Sequence, residues 1–209
     1  MRYREQIRKA YTGLLGDMPE KGPLNARVTG RIDCGDYRIE KIVYESQPDH
    51  PVTANLYIPN RAQGPFPGIL VTCGHSMTGK ARDTYQSISI LLAKYGCVAL
   101  IVDPIGQAER LQFAIEREDE GLDNATVRHT QVDIGSMLVG RDTVFYQLWD
   151  NLRGIDYLVG RPEVDATRIG VAGHSGGGTQ TFYLAALDPR VGAAVPSCGL
   201  ATRQGVRAW

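Results

Sequence analysis

The chain has 209 residues, 43% hydrophobic and 22% charged, which is enough to bury one sizeable core in a soluble globular domain. Lysine plus arginine and aspartate plus glutamate number 23 each, so the charge balance gives no case for binding nucleic acid or an anionic membrane. No run reaches transmembrane length and the first ten residues hold no signal-peptide core. The default compartment is therefore the cytoplasm, with secretion open if a leader precedes this start. Cys34, Cys73, Cys97 and Cys198 show no CxxC spacing, and three of them sit in apolar runs. They read as small core hydrophobes, with neither a metal site nor a disulfide framework.

In chain order, Ile7, Tyr11, Leu14 and Leu15 keep helical spacing and predict a helix over 3–15 that ends at Gly16. Residues 1–30 are thus expected to form a helical extension ahead of a domain over 31–209. Alternation over 37–45 and 52–58, with Gln47-Pro48-Asp49-His50-Pro51 between, predicts an antiparallel hairpin. The continuous apolar runs 68–73 and 97–102 predict strands buried on both faces, with an amphipathic helix over 85–95 between them. Residues 105–140, including the charged run 116–121, read as an irregular, lid-like excursion. Helical spacing returns over 142–159 and stops before Pro162. A short apolar strand then runs into Gly173-His174-Ser175-Gly176-Gly177-Gly178, a helix follows, and 191–196 reads as a last strand.

A hairpin followed by strand–helix alternation, with a serine at the bend after the third parallel strand, is the order of an α/β-hydrolase fold. The pattern Gly173-x-Ser175-x-Gly177 in a strand–turn–helix context is a nucleophile elbow. Ser175 is then the nucleophile. The oxyanion donors are the N–H of Gly176 and one from Gly74-His75-Ser76-Met77-Thr78-Gly79, with His75 first and Ser76 next. That same loop offers a rival reading. Gly74-x-x-x-x-Gly79-Lys80 matches a phosphate-binding loop up to its last position, where Ala81 replaces the metal-binding hydroxyl, so an NTPase is disfavoured.

Four segments carry a resemblance: Gly74-His75-Ser76-x-x-Gly79-Lys80, Asp103-Pro104-x-Gly106-Gln107-x-Glu109-Arg110, Arg161-Pro-Glu-Val-Asp165 and Gly173-x-Ser175-Gly-Gly-Gly-Thr-Gln180. Over about residues 37–198 the chain resembles bacterial α/β-hydrolases of the acetyl xylan esterase and dienelactone hydrolase-like group. The resemblance implies a serine carboxylic-ester hydrolase without a cofactor, acting on a small ester or an acetylated carbohydrate through an acyl-enzyme on Ser175. A serine peptidase of the same fold, or a non-catalytic remnant or binding module, are the alternatives. Ala108 stands where relatives often carry glycine, and a local backbone adjustment is expected there.

In this fold the triad runs Ser, acid, His along the chain. No histidine follows Ser175, and the one carboxylate, Asp188, precedes the last strand at the edge opposite the site. The chain therefore reads as a C-terminally incomplete hydrolase that lacks its last strands, with triad acid and base missing and the 191–196 edge open. Four histidines precede Ser175. His75 and His129 can approach the nucleophile, yet neither is assigned the base role. His174 is expected to bond locally, and His50 to be solvated in the hairpin turn. Asp103 is expected to order the Gly106–Arg110 turn.

Overall fold

The computed structural model describes residues 2–60, 63–112 and 125–199. The predicted charged loop 116–121 and the tail 201–209 lie outside the described residues. Helix α1 spans Arg2–Leu15 and stops where Gly16 takes φ 77, a left-handed turn that glycine adopts without steric cost. Tyr11 meets Tyr183 edge-on with ring centroids 4.8 Å apart, which fastens α1 to the body of the fold.

Three antiparallel strands follow: β1 (Arg27–Asp33), β2 (Tyr37–Gln47) and β3 (His50–Pro59). Strands β2 and β3 are the predicted hairpin, paired from Tyr37↔Pro59 to Gln47↔His50. Strand β1 was not predicted. It is exposed along most of its length, so it lacks the apolar alternation that betrays a strand, and it begins inside the stretch read as a helical extension. Then come β4 (Phe66–Thr72), α2 (Asp83–Lys94), β5 (Val98–Val102), α3 (Ala125–Met137), α4 (Thr143–Val159), β6 (Val164–His174), α5 (Gly176–Leu187) and β7 (Val191–Ser197). One seven-stranded sheet has the order β1-β2-β3-β5-β4-β6-β7. β5, β4, β6 and β7 run parallel, and β3 joins β5 antiparallel.

Both faces of the central sheet are covered, as parallel strands require. On one face Ile42, Tyr44, Leu56, Leu70 and Leu100 pack with Leu148, Ile155 and Leu158 of α4 and Leu184 of α5. On the other, Val71, Ala99 and Ile101 pack with Tyr85 and Ala93 of α2. Strand β5 is buried at every position, the outcome its unbroken apolar run dictates. Strand β7 lies at the sheet edge with Val191 buried and Val195 64% exposed.

Within the predicted excursion, Ala125–Met137 is helical where the sequence suggests irregular chain. Its inward positions are Ala125, Arg128, Val132 and Ser136, correct in helical spacing but half polar. Ile134, Met137, Leu138 and Val139 meanwhile point outward. Hydrophobic periodicity was therefore silent.

A buried polar knot joins the opening hairpin to α4. Asp150, 1% exposed, accepts from Ser46 Oγ at 2.6 Å and from Arg110 Nη1 at 2.7 Å, and lies 3.3 Å from His50 Nε2. Arg110 also donates from Nη1 to the Asp103 carbonyl at 3.0 Å and from Nη2 to His50 Nε2 at 2.8 Å. A guanidinium only donates, so that His50 nitrogen is its acceptor. His50 is thus not solvated as expected; it is half-buried and stacked on Tyr146. Burial opposes ionisation of Asp150, but chiefly the Arg110 charge, with the Ser46 bond, outweighs it and holds its carboxyl below 3.8.

Removing one member of such a knot leaves its partners buried and uncompensated. Asp150→Ala is expected to cost about 3–5 kcal/mol in urea unfolding, whereas Asp150→Leu combined with Arg110→Met recovers most of the loss.

Candidate active site

Ser175 stands at the junction of β6 and α5 with φ 58 and ψ −124. A residue with a β-carbon resists this conformation, at a cost of order 1–3 kcal/mol, unless its surroundings fix it. Here they do. The Ser175 N–H donates to the Ser197 carbonyl of β7 at 2.8 Å, and its own carbonyl receives the Thr179 N–H at 3.1 Å. Thr72, at the end of β4, donates from Oγ1 to the Gly177 carbonyl at 2.7 Å and meets Thr181 Oγ1 at 2.9 Å. Glycine is obligatory where these backbones touch: a β-carbon at 173 would fall 2.5 Å from the Gly177 carbonyl oxygen, and one at 177 would overlap the Thr72 carbonyl. The strained turn leaves Ser175 at the N-terminus of α5, where unpaired N–H groups and the helix dipole favour negative charge.

The loop after β4 lies against this turn. Gly74 donates its N–H to Tyr85 Oη at 2.6 Å, and a β-carbon on Gly74 would sit 3.1 Å from Ser175 Cβ. The His75 ring packs on Gly176, its Cε1 3.2 Å from where a β-carbon there would stand. Burial lowers the His75 pKa from 6.5, which favours the neutral imidazole. Of the two candidate N–H groups in this loop, that of Ser76 is already committed, donating to Gln107 Oε1 at 2.7 Å. The Ser76 N–H is thus engaged by Gln107 in this structure.

Asp103 is fully buried but serves a different segment from the one expected. Its carboxylate accepts Thr53 Oγ1 at 2.7 Å, the Lys80 N–H at 2.8 Å, and the Lys80 ammonium, which also closes on Glu109. The carboxylate thus braces residues 79–80, while the Gly106–Arg110 turn is reached through the Asp103 carbonyl. Lys80 is consumed in this pairing, which removes the residue that a phosphate-binding loop would aim at its ligand. Ala108 holds φ 49. The backbone has kept the left-handed turn instead of adjusting around alanine, at a cost of about 1 kcal/mol.

His129, on α3, reaches the same edge. Its ring lies 4.9 Å from that of His75. Its Nε2 faces the side-chain amide nitrogens of Gln107 at 3.1 Å and Gln147 at 3.3 Å, and a further bond runs to the Ile105 backbone. Burial, reinforced by His75, lowers its pKa from 6.5 to about 4. With its lone pair facing two amide donors, His129 is a poor base for Ser175. His174 points the other way, its Nδ1 3.4 Å from Ser197 Oγ. Asp188 sits past the far end of α5, about 18 Å of helix from Ser175, chelated by Arg190 at 2.6 Å. Ser175, Gly176, His75, Ser76 and His129 therefore converge, Asp103 lies one layer behind them, and His50 and Asp188 belong to other regions. Thr72, Tyr85 and Gln107 were missed as positioning groups. Gln107 stands within one of the four motifs, whereas Tyr85 only opens the helix predicted over 85–95.

A family model described as Acetyl xylan esterase (AXE1) matches residues 31–200. A candidate hydrolase of Bacillus subtilis (strain 168), YtaP, is 26% identical over 195 residues, covering 93% of this chain and 64% of its own length. Among solved structures, a candidate acetyl xylan esterase of Bacteroides fragilis NCTC 9343, BF1801, superposes with a TM-score of 0.75 at 20% identity, over 91% of this chain and 51% of the other. An acetyl xylan esterase from Paenibacillus sp. R4 gives a TM-score of 0.60 at 21% identity, over 91% and 56%. The chain thus spans between half and two thirds of the length of these proteins.

Two outcomes test this geometry. Gly177→Ala forces backbone against backbone and is expected to destabilise by more than about 3 kcal/mol in chemical denaturation, or to prevent folding. Between pH 6.5 and about 4 the unfolded chain takes up a proton at His129 that the folded protein refuses. Stability attributable to this group is therefore complete above 6.5 and lost as the pH falls through about 4. In melting curves across that window, His129→Gln should flatten the decline.

Proposed function

The chain belongs to the acetyl xylan esterase (AXE1) family, and from that premise we propose that it is a serine carboxylic-ester hydrolase that deacetylates small esters or acetylated carbohydrates through an acyl-enzyme on Ser175. The observation that carries this reading is the backbone of Ser175, held at φ 58 and ψ −124 by contacts from β4, β7 and α5. A strained conformation over-determined on three sides is a hallmark of a presented nucleophile.

In this reading Ser175 Oγ attacks the acetyl carbonyl as its proton passes to a base. The new oxyanion is met by the Gly176 N–H, with the His75 N–H as second donor, and by the positive end of α5. The carbon–oxygen bond to the sugar then breaks, the sugar oxygen leaves with the proton, and an acetyl ester remains on Ser175. Water, activated by the same base, returns the serine and releases acetate. The imidazoles of His50, His129 and His174 have the partners described above, and no histidine follows Ser175. No acid or base for Ser175 is therefore assigned among the described residues. The chain by itself then acylates faster than it turns over.

The test is incubation of the purified chain with p-nitrophenyl acetate, followed by intact-mass and peptide mass spectrometry, beside Ser175→Ala. One acetyl group per chain on Ser175, absent from the variant and released slowly, is the expected result. Acetylation that persists in Ser175→Ala, or none in the parent chain, overturns the assignment of the nucleophile.

A further inference from the structure

The motif that contributed Gln107 to the sequence resemblance has a use beyond the turn in which it lies. Gln107 is fully buried, and its amide bridges two segments that otherwise approach the site independently. One end receives the Ser76 N–H at 2.7 Å; the other faces His129 Nε2 at 3.1 Å. The orientation of this amide follows from chemistry alone. A backbone N–H can only donate, so Gln107 must turn its oxygen to Ser76, and its NH2 is thereby aimed at His129. That fixes Nε2 of His129 as the acceptor and places the ring proton on the other nitrogen. A second strap runs beside the first, from the Ala108 N–H to the Met77 carbonyl at 3.1 Å.

From this arrangement we propose that Gln107 is a positioning residue of the hydrolytic site: through its amide, helix α3 and the neutral ring of His129 set the conformation of the 74–79 loop that holds His75 against Gly176. The chain of contact is continuous, from α3 through His129 to Gln107 and Ser76, and again from His129 to His75, whose ring lies 4.9 Å away and rests on Gly176. The groups that act on His129 are His75 from the loop, Gln107 from the turn after β5, Gln147 from α4 and Asp133 from its own helix. The kinetic part of this proposal rests on Ser175 being the nucleophile; the structural part does not.

Two variants of the full chain separate the parts. Gln107→Glu is nearly isosteric and keeps an acceptor for Ser76, but it places a carboxylate against the His129 lone pair. Gln107→Leu removes both ends of the bridge. Imidazole nitrogen shifts and amide hydrogen exchange are read by NMR. In the parent chain His129 stays neutral down to about pH 4. Gln107→Glu should raise that midpoint by about two pH units or more, because a ring that donates to the new carboxylate from one nitrogen and to the Ile105 backbone from the other must carry both protons. Ser76 should stay protected in Gln107→Glu and exchange roughly tenfold faster or more in Gln107→Leu. An unchanged His129 titration in Gln107→Glu, or an unchanged Ser76 exchange rate in Gln107→Leu, overturns the bridge.

Acetylation of Ser175 by p-nitrophenyl acetate supplies the second readout. Gln107→Leu should slow the acylation step roughly 10- to 100-fold with little change in half-saturating ester, since a displaced donor loop misplaces the oxyanion site. Gln107→Glu should restore part of the rate. Equal rates in the parent and Gln107→Leu overturn the positioning role even where the bridge holds. Absence of any Ser175 acetylation in the parent overturns the proposed function, and the NMR arm still decides the bridge.

Discussion

Where β4 ends and α5 begins, two backbones touch with no side chain between them, and the rest of the site depends on that contact. Thr72 presents its carbonyl to the α-carbon of Gly177 and its hydroxyl to the Gly177 carbonyl. The first turn of the helix is thereby pinned to the sheet more closely than any residue with a β-carbon allows. Because α5 cannot retreat, Ser175 cannot relax its dihedrals, and strain that would dissipate in a surface turn is stored where a nucleophile would be useful. The same proximity brings Gly74 beside Ser175 and lets the His75 ring rest on Gly176. Ser175 and the 74–79 loop are thus positioned by one packing event.

Around this contact, two buried aspartates hold irregular chain to regular structure. Asp103 ends the run of β5 and captures the backbone and ammonium of Lys80; Asp150, in the middle of α4, captures Arg110 and Ser46. The Ala108–Arg110 turn is held from both sides, since Glu109 meets Lys80 and Arg110 meets Asp150. Buried ion pairs add little net stability over a well-packed apolar substitute, because each charge gives up its hydration. What they supply here is a unique arrangement: a loop of glycines and small polar residues has few apolar contacts with which to choose among conformations, and the buried charges choose for it.

The sequence made the fold legible wherever burial imposes a period. The apolar runs of β4 and β5, the alternation of β2 and β3 and the helical spacing of α4 are direct consequences of which faces meet the core; α2 lies where it is predicted but buries Tyr85, Ser89 and Ala93, leaving Ile88, Leu91 and Tyr95 exposed. Strand β1 and helix α3 escaped because their inward positions are few or polar: only Val28 and Gly30 are partly buried in the strand, and Arg128 and Ser136 lie on the buried side of the helix. At the site, Ser175 and its glycines were legible because a tight bend restricts residue type. The hydrogen-bond partners were not. That Ser76 is committed to Gln107, that Asp103 braces Lys80, or that His50 accepts from Arg110 follows from contacts between residues far apart in the chain, and no local spacing encodes them.

The bond from the Ser175 amide to the Ser197 carbonyl carries a consequence for the order of events during synthesis. The Ser175 turn is closed by a strand that is made after it and by β4, made long before it. As the polypeptide emerges from the ribosome, β2 and β3 can pair as soon as both are free of the exit tunnel. The turn at Ser175 has to wait until α5 and then β7 have been released and docked. That bond is thus among the last features to be completed, and a nascent chain stalled before β7 leaves the Ser175 amide without its Ser197 acceptor.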